Sequence, residues 1–229
     1  MPAQDSKTGP KNILVFGDSN AWGWIPRLEI FPTQRLPKAN RWPEVMLEKL
    51  GSDYDVFCDA LPGRTTDLDD PGSELGPEVA NGLTALRATV AAHMPLDLVI
   101  IALGTNDLKA YFNRTPDQIA EAILGLARAA AGNTGVGTTY SAAKVLILCP
   151  PSLGPLHPED WVREVFSQTS LDASRALSGV LEPMANAEGF AFFDAGSVMQ
   201  TEGVDGVHFS TENHATLGDA MADVVRQLI

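Results

Sequence analysis

Ser19, in the stretch ILVFGDSNAWGW that runs from Ile13 to Trp24, follows an apolar segment at a sharp polar turn. A serine hydroxyl attacks a carbonyl only when a base takes its proton. His208, in GVDGVHFS near the carboxyl end, can be that base, because Asp205 stands three residues before it on a glycine-rich turn. At that spacing a carboxylate reaches Nδ1, fixes the tautomer and leaves Nε2 free for the serine. Each residue alone has a plainer explanation: Ser19 as a helix N-cap, Asp205 and His208 as parts of an ordinary Asp-Gly turn. Of the four histidines, His93 ends an amphipathic segment, His157 lies in a proline-flanked loop and His214 falls inside the last helix, where it is exposed or satisfied.

Acyl transfer also needs donors for the oxyanion, placed before the charge develops. The backbone N–H of Ser19 supplies one if it opens a helix. Gly63 in LPGRTT offers a second N–H that no side chain obstructs, and Asn106 in GTND a side-chain amide. Asn and Asp also serve as turn formers, so it is the combination that points to acyl chemistry.

Such residues need a frame that brings them to one rim. Five short apolar runs bounded by turn residues read as buried strands: NILVFG from Asn12, YDVFC from Tyr54, LDLVIIALG from Leu96, KVLILCP from Lys144 and FAFFDA from Phe190. Between them, Val79, Leu83, Leu86 and Val90 keep helical spacing, as do Ile119, Ile123, Leu126 and Ala130. So do Trp42, Val45, Met46 and Leu50, and the tail from Thr211 to Ile229 closes with another amphipathic helix. Alternating strands and helices predict a three-layer α/β/α domain on a parallel sheet, with ligands at the carboxyl ends of the strands. Ser19, Gly63 and Asn106 all follow such ends.

The 229 residues suit one core, with a polar tail at 1–11 and a single domain at 12–229. A net charge of -13 argues against nucleic acid or an anionic membrane as partner. The opening residues lack a signal-peptide core and no run is long enough to span a bilayer, so the expected compartment is the cytoplasm. Cys58 and Cys149 sit in apolar segments without metal-ligand spacing and read as buried free thiols. SAAK at Ser141 leads into a strand instead of opening a helix, which sets aside a penicillin-binding reading. TDLDD, with Asp67, Asp69 and Asp70, reads as a solvated acidic loop and GNTGVGTTY as a flexible one.

FGDSN, the glycine of LPGRTT, GTND and DGVH, in that order, resemble four conserved blocks of the SGNH hydrolases, the GDSL-type esterases. GDSNAWGW, RTTDLDDP, PLDLVIIALGTNDLKAYFNRTP, GVGTTY and the stretch from FFDAGSV to His208 further resemble the mycobacterial arylesterase/acyltransferase branch, over nearly the whole chain after Lys11. The resemblance implies a flavodoxin-like fold with a five-stranded parallel sheet. It implies Ser19 as nucleophile, His208 as base and acid, Asp205 as orienting carboxylate, and Ser19, Gly63 and Asn106 as the oxyanion hole. Trp24, Lys109, Phe166 and Val207 would line the acyl or alcohol pocket. The implied chemistry is hydrolysis of small acetyl-type or aryl esters, acyl transfer to alcohols in water, and perhydrolysis with peroxide, without metal or organic cofactor. The implied assembly is a homo-oligomer whose contacts help form a hydrophobic channel. At Asn20, where leucine is usual, the chain departs from the family in a way that bears on local pocket shape and polarity, and Arg27 to Asn40 reads as an insertion that bears on the mouth or on subunit contacts. A carbohydrate O-deacetylase or thioesterase would use the same residues. A non-catalytic binding module would be expected to have lost one of Ser19, Asp205 and His208.

Overall fold

The computed structural model describes residues 9–29, 31–133, 135, 138, 140–157 and 161–229. Most of the predicted tail, much of GNTGVGTTY and part of HPEDWVREVF lie outside the described residues. Five strands, β1 (Lys11–Gly17), β2 (Tyr54–Ala60), β3 (Leu98–Ala102), β4 (Lys144–Cys149) and β5 (Ala191–Asp194), lie side by side in the order β2-β1-β3-β4-β5. Every pairing is parallel. This is the doubly wound order whose direction reverses between β1 and β3, and ligands in such sheets bind where the direction reverses.

Side chains alternate across β1, so one strand feeds two cores. Leu14 and Phe16 join Val99, Ile101 and Ile147 on one face, under α3 (Gly82–His93), α4 (Pro116–Ala131) and α6 (Gln168–Ala187). Ile13 and Val15 join Leu98, Ile100 and Leu146 on the other, under α2 (Trp42–Leu50) and α7 (Thr211–Leu228). Two short helices, α1 (Ser19–Trp22) and α5 (Val162–Val165), lie in the connections near the site. Capping boxes start the long helices: Thr115 with Gln118 for α4, Ser167 with Ser170 for α6, and Ser210 with Asn213 for α7.

The predicted strands are all present, although β3 is shorter than its apolar run and β1 begins one residue earlier, at Lys11 inside the expected tail. The helical rhythm from Val79 holds only in its second half. Leu86 and Val90 are fully buried, whereas Val79, in a 3-10 turn before α3, and Leu83 are each 40% exposed. The 20-residue α6 lacks a predicted counterpart. Its inward face keeps a three-and-four spacing but is built partly from Ser170, Ala173 and Ser174, which carry little hydrophobic signal, and it contains Pro183. Ser174 is satisfied there, since its Oγ donates to Leu171 O and accepts from Leu153 N–H. No helix among the described residues is long and apolar enough to cross a membrane.

Candidate active site

The register levels the strand ends on which the site stands. Gly17 of β1 pairs with Ala60 of β2 on one side and Ala102 of β3 on the other. Ser19, Gly63 and Asn106 therefore stand two, three and four residues beyond one shared line of backbone.

Ser19 is not the cap of its helix. Asp18 is, its carboxylate accepting the N–H of Asn20 at 2.9 Å, and Ser19 takes the first helical position. At that position its N–H is among the amides a helix leaves without an internal acceptor, which suits it to an oxyanion. Asp18 is 2% exposed, and burial pushes its carboxyl up to about 6 against the opposing pull of the Asn20 N–H, His208 and Arg64.

His208 reaches Ser19 from the loop between β5 and α7. Its Nε2 lies 3.0 Å from Ser19 Oγ, and its Nδ1 lies 2.8 Å from Asp205 Oδ2. The other carboxylate oxygen of Asp205 accepts the N–H groups of Val207 at 3.0 Å and His208 at 2.8 Å. Asp205 is fully buried. Burial alone would raise its pKa, but the His208 imidazole and the two backbone N–H groups together hold it below the usual carboxylate range. The glycines of this loop answer a packing need: a Cβ on Gly203 would collide with the carbonyl of His208.

Two indoles approach the imidazole. Trp24 stacks on it at 5.0 Å between ring centroids and 13° between planes, and Trp161 lies at 6.4 Å. Trp22 takes another part, carrying the Arg35 guanidinium over its ring at 4.5 Å. Within the expected insertion, residues 34–36 fold back on Trp24, since Ile25 N–H donates to Gln34 O, Leu36 N–H donates to Gly23 O, and Trp24 bridges to Arg35. They thereby back the indole wall of the site.

The remaining donors are tied together by Arg64. Its guanidinium donates to Gly17 O at 3.1 Å and to Asp59 O and Oδ1, both at 2.8 Å, while stacking over Phe16. Its own carbonyl accepts Asn106 Nδ2 at 3.1 Å, which orients that amide and leaves its second hydrogen free to donate elsewhere. Gly63 has φ 81°, a left-handed conformation that favours glycine, although a Cβ there would meet no neighbour. Backbone geometry, more than space, explains this glycine.

The implied pocket residues fall into different settings. Trp24 stands against the His208 imidazole. Lys109 is held by Asp70 at 2.5 Å and is largely shielded. Phe166, 3% exposed, and Val207, 5% exposed, belong to the core cluster under α6. TDLDD is solvated only in part, with Asp69 exposed and Asp67 half-buried. Asp70 is buried and accepts from Lys109, Tyr111 and Gly72, Asp67 pairs with Arg114, and Asp69 accepts from Asn81. Alternating acidic residues gave the appearance of a free charge run, but each has a partner brought by another loop. Cys149 is fully buried as expected, while Cys58 is only partly so, and burial raises its thiol to about 11. Among the described residues His214 is satisfied at one nitrogen only, where Nδ1 accepts Trp42 N–H at 3.2 Å. Arg64, Trp161 and the side chain of Asn20 are site features that residue type alone did not single out; Arg64 was marked by its position beside Gly63, and Asn20 by its departure from the family's usual leucine.

Residues 15–216 match the GDSL-like lipase/acylhydrolase family. The chain belongs to that family. This GDSL-like protein is an esterase, with the five-stranded α/β fold the family uses. The aryl esterase of M. smegmatis is 44% identical over 96% of this chain and 100% of its own, with a TM-score of 0.90. A carbohydrate acetylesterase from Sinorhizobium meliloti is 43% identical over the same shares of the two chains, also with a TM-score of 0.90. A carbohydrate acetylesterase family member from the same organism is 31% identical over 95% of this chain and 98% of its own, with a TM-score of 0.85. The search of curated proteins returned no match.

Proposed function

We propose that this GDSL-like esterase cleaves small acetyl-type or aryl esters through an acyl-enzyme on Ser19 and passes the acyl group to water or to an alcohol. The observation that carries the reading is the unbroken line Asp205 Oδ2, His208 Nδ1, His208 Nε2 and Ser19 Oγ, with links of 2.8 and 3.0 Å. His208 takes the Ser19 proton as Oγ attacks the ester carbonyl, and Asp205 stabilises the imidazolium. The oxyanion accepts from the N–H groups of Ser19 and Gly63 and from the Asn106 amide. Collapse breaks the bond to the alkoxy oxygen, and His208 returns the proton to the departing alcohol. A second nucleophile then gives up its proton to His208 and attacks the acyl carbonyl, and collapse breaks the acyl bond to Ser19 Oγ, which takes the proton back from His208. Water yields the acid, an alcohol a new ester, and hydrogen peroxide the peracid.

The indole of Trp24 against His208 supports transfer, because apolar surface beside the acyl-enzyme favours an alcohol over water. Likeness to the Sinorhizobium meliloti acetylesterase supports a second reading, in which the acetyl group comes from a carbohydrate. The proposal includes a single catalytic domain at 12–229, a cytoplasmic setting and a homo-oligomer. The test is a time course with p-nitrophenyl acetate and with a peracetylated sugar, with and without benzyl alcohol, on wild type and Ser19→Ala. Ser19→Ala is expected to lower kcat by about 10⁶. Benzyl acetate should accumulate as alcohol is added, whereas equal slow release from both proteins would remove Ser19 from the nucleophile role. Faster deacetylation of the sugar would assign the carbohydrate reading.

A further inference from the structure

We propose that Asn20 is a positioning residue that fixes His208 in line with Ser19. Its side chain, 6% exposed, spans the two peptide groups that flank the imidazole-bearing residue. Nδ2 donates to Val207 O at 3.2 Å, and Oδ1 accepts from Phe209 N–H at 3.1 Å. A primary amide offers a donor and an acceptor side by side, which is what the C=O before and the N–H after a single residue require. The amide pairs with the His208 backbone much as a neighbouring strand would.

The clamp completes a set. On its other side the same backbone is held by Asp205, whose Oδ1 accepts the N–H groups of both Val207 and His208. Between them, Asn20 and Asp205 hold three consecutive residues, 207 to 209, and Trp24 stacks on the ring that emerges. Asn20 is itself fixed, its N–H donating to Asp18 Oδ1 at 2.9 Å. Because Asn20 adjoins Ser19, the clamp ties the segment that carries the nucleophile directly to the segment that carries the base, 189 residues away. The separation of Ser19 Oγ and His208 Nε2 is then set by two hydrogen bonds one residue away and does not depend on distant packing alone.

Residue type matters here. Leucine would leave the Val207 carbonyl and the Phe209 N–H without their partner, and an ionised aspartate keeps the acceptor for Phe209 N–H but cannot donate to Val207 O. The inference rests on the Ser19–His208 reading above, so the experiment carries Ser19→Ala beside Asn20→Leu and Asn20→Asp. Each protein is assayed for kcat and KM with p-nitrophenyl acetate, for the rate at which a fluorophosphonate labels it, and for its thermal midpoint. Asn20→Leu is expected to lose about 10- to 100-fold in kcat and in labelling rate, the size of effect that a small misplacement of a catalytic group produces, with KM nearly unchanged. Asn20→Asp is expected to lose less, about tenfold at most, and still fall below wild type, so it decides the matter by itself if the leucine variant does not fold.

Wild-type kcat and labelling in a folded Asn20 variant would overturn the clamp. So would a loss confined to KM, or losses in the two variants that simply follow the fraction unfolded at the assay temperature. An active Ser19→Ala would overturn the nucleophile assignment and the clamp with it. An inactive Ser19→Ala beside a fully active Asn20→Leu would overturn the clamp alone.

Discussion

Asp205 and Asp107 are both fully buried on the same rim, and both accept backbone N–H groups, yet their ionisation moves in opposite directions. For Asp205, burial is outweighed by the His208 imidazole and the adjoining N–H groups, and the pKa falls. For Asp107, burial wins and lifts the carboxyl to about 6, although Thr66 donates from Oγ1 at 2.5 Å and from its N–H at 3.0 Å, with Arg114 at 3.2 Å. Their partners explain the difference in use. The partner of Asp205 faces Ser19 with its second nitrogen, so charge stabilised by Asp205 can serve a proton transfer. The partners of Asp107 lead back into the loops after β2 and β3, so Asp107 closes the turn that presents Asn106. Burial and motif membership do not by themselves suit an acid to catalysis; a partner placed to pass the proton onward does.

Replacing each acid with its amide separates the two roles. Asp205→Asn is expected to lower kcat by on the order of 10⁴, because the imidazole loses the carboxylate that sets its tautomer. The stability signs also differ. A depressed pKa in the folded state means that Asp205 adds stability above its unfolded value of 3.8, lost as pH falls through the folded pKa. Asp205→Asn should therefore unfold at lower urea at pH 7. The raised pKa of Asp107 means that folding is favoured with the proton on, so its contribution falls as pH rises from 3.8 to about 6. Asp107→Asn should remove that fall, holding or raising the urea midpoint at pH 7 while costing far less kcat than Asp205→Asn. Equal loss of kcat in the two variants would break the contrast.

Asn106 stands next to Asp107 and takes the other side of the comparison. If its amide meets the oxyanion, Asn106→Ala lowers kcat by roughly 10² to 10³. If instead it only joins its loop to Arg64 O, the loss appears in the unfolding midpoint and kcat stays near wild type. Steady-state kinetics with an activated ester, paired with a urea titration, reads both quantities on one preparation.

Features that depend on one strand or one turn were legible in the sequence. The apolar run Leu98 to Ile101, β-branched from Val99 on, needs only its own side chains to read as a buried strand, and the spacing of Ile119, Ile123, Leu126 and Ala130 survives intact in α4. The geometry of the proposed Asp205–His208–Ser19 line was also legible, because Asp205 and His208 meet within one turn and Ser19 stands two residues beyond the end of β1. Features that depend on a distant partner were not. Asp67, Asp69 and Asp70 look solvated until Arg114, Asn81 and Lys109 arrive from other loops. The assignment of the α1 cap to Ser19 failed for a local reason, since Asp18 is an equally good cap one residue earlier. Asn20 stands out in the sequence only as a departure from leucine, and its role appears once residues 207 and 209 come within hydrogen-bond range.

A second pair, His208 and His214, repeats the contrast among bases with a smaller effect. Both are buried and only six residues apart, but His214 meets no carboxylate among the described residues, and its Nε2 has no hydrogen-bond partner there. Its Nδ1 accepts Trp42 N–H, its ring packs on Phe209, and burial lowers its pKa from 6.5 to about 4. A base with a lowered folded pKa contributes its full stability above 6.5, and that contribution is lost as pH falls towards about 4. The size is roughly 3 kcal/mol between pH 7 and pH 4. His214→Asn keeps an acceptor near Trp42 N–H but does not titrate, so it should lose less stability than wild type over that interval even if its midpoint at pH 7 is lower. Asp18 and Asp107 contribute with the opposite sign in the same interval, but they do so in both proteins and drop out of the difference. Parallel slopes of urea midpoint against pH would mean that the buried ring of His214 is relieved of its proton penalty by another route. A kcat at pH 8 equal to wild type is expected, and would show that the ring of His214 takes no part in the chemistry.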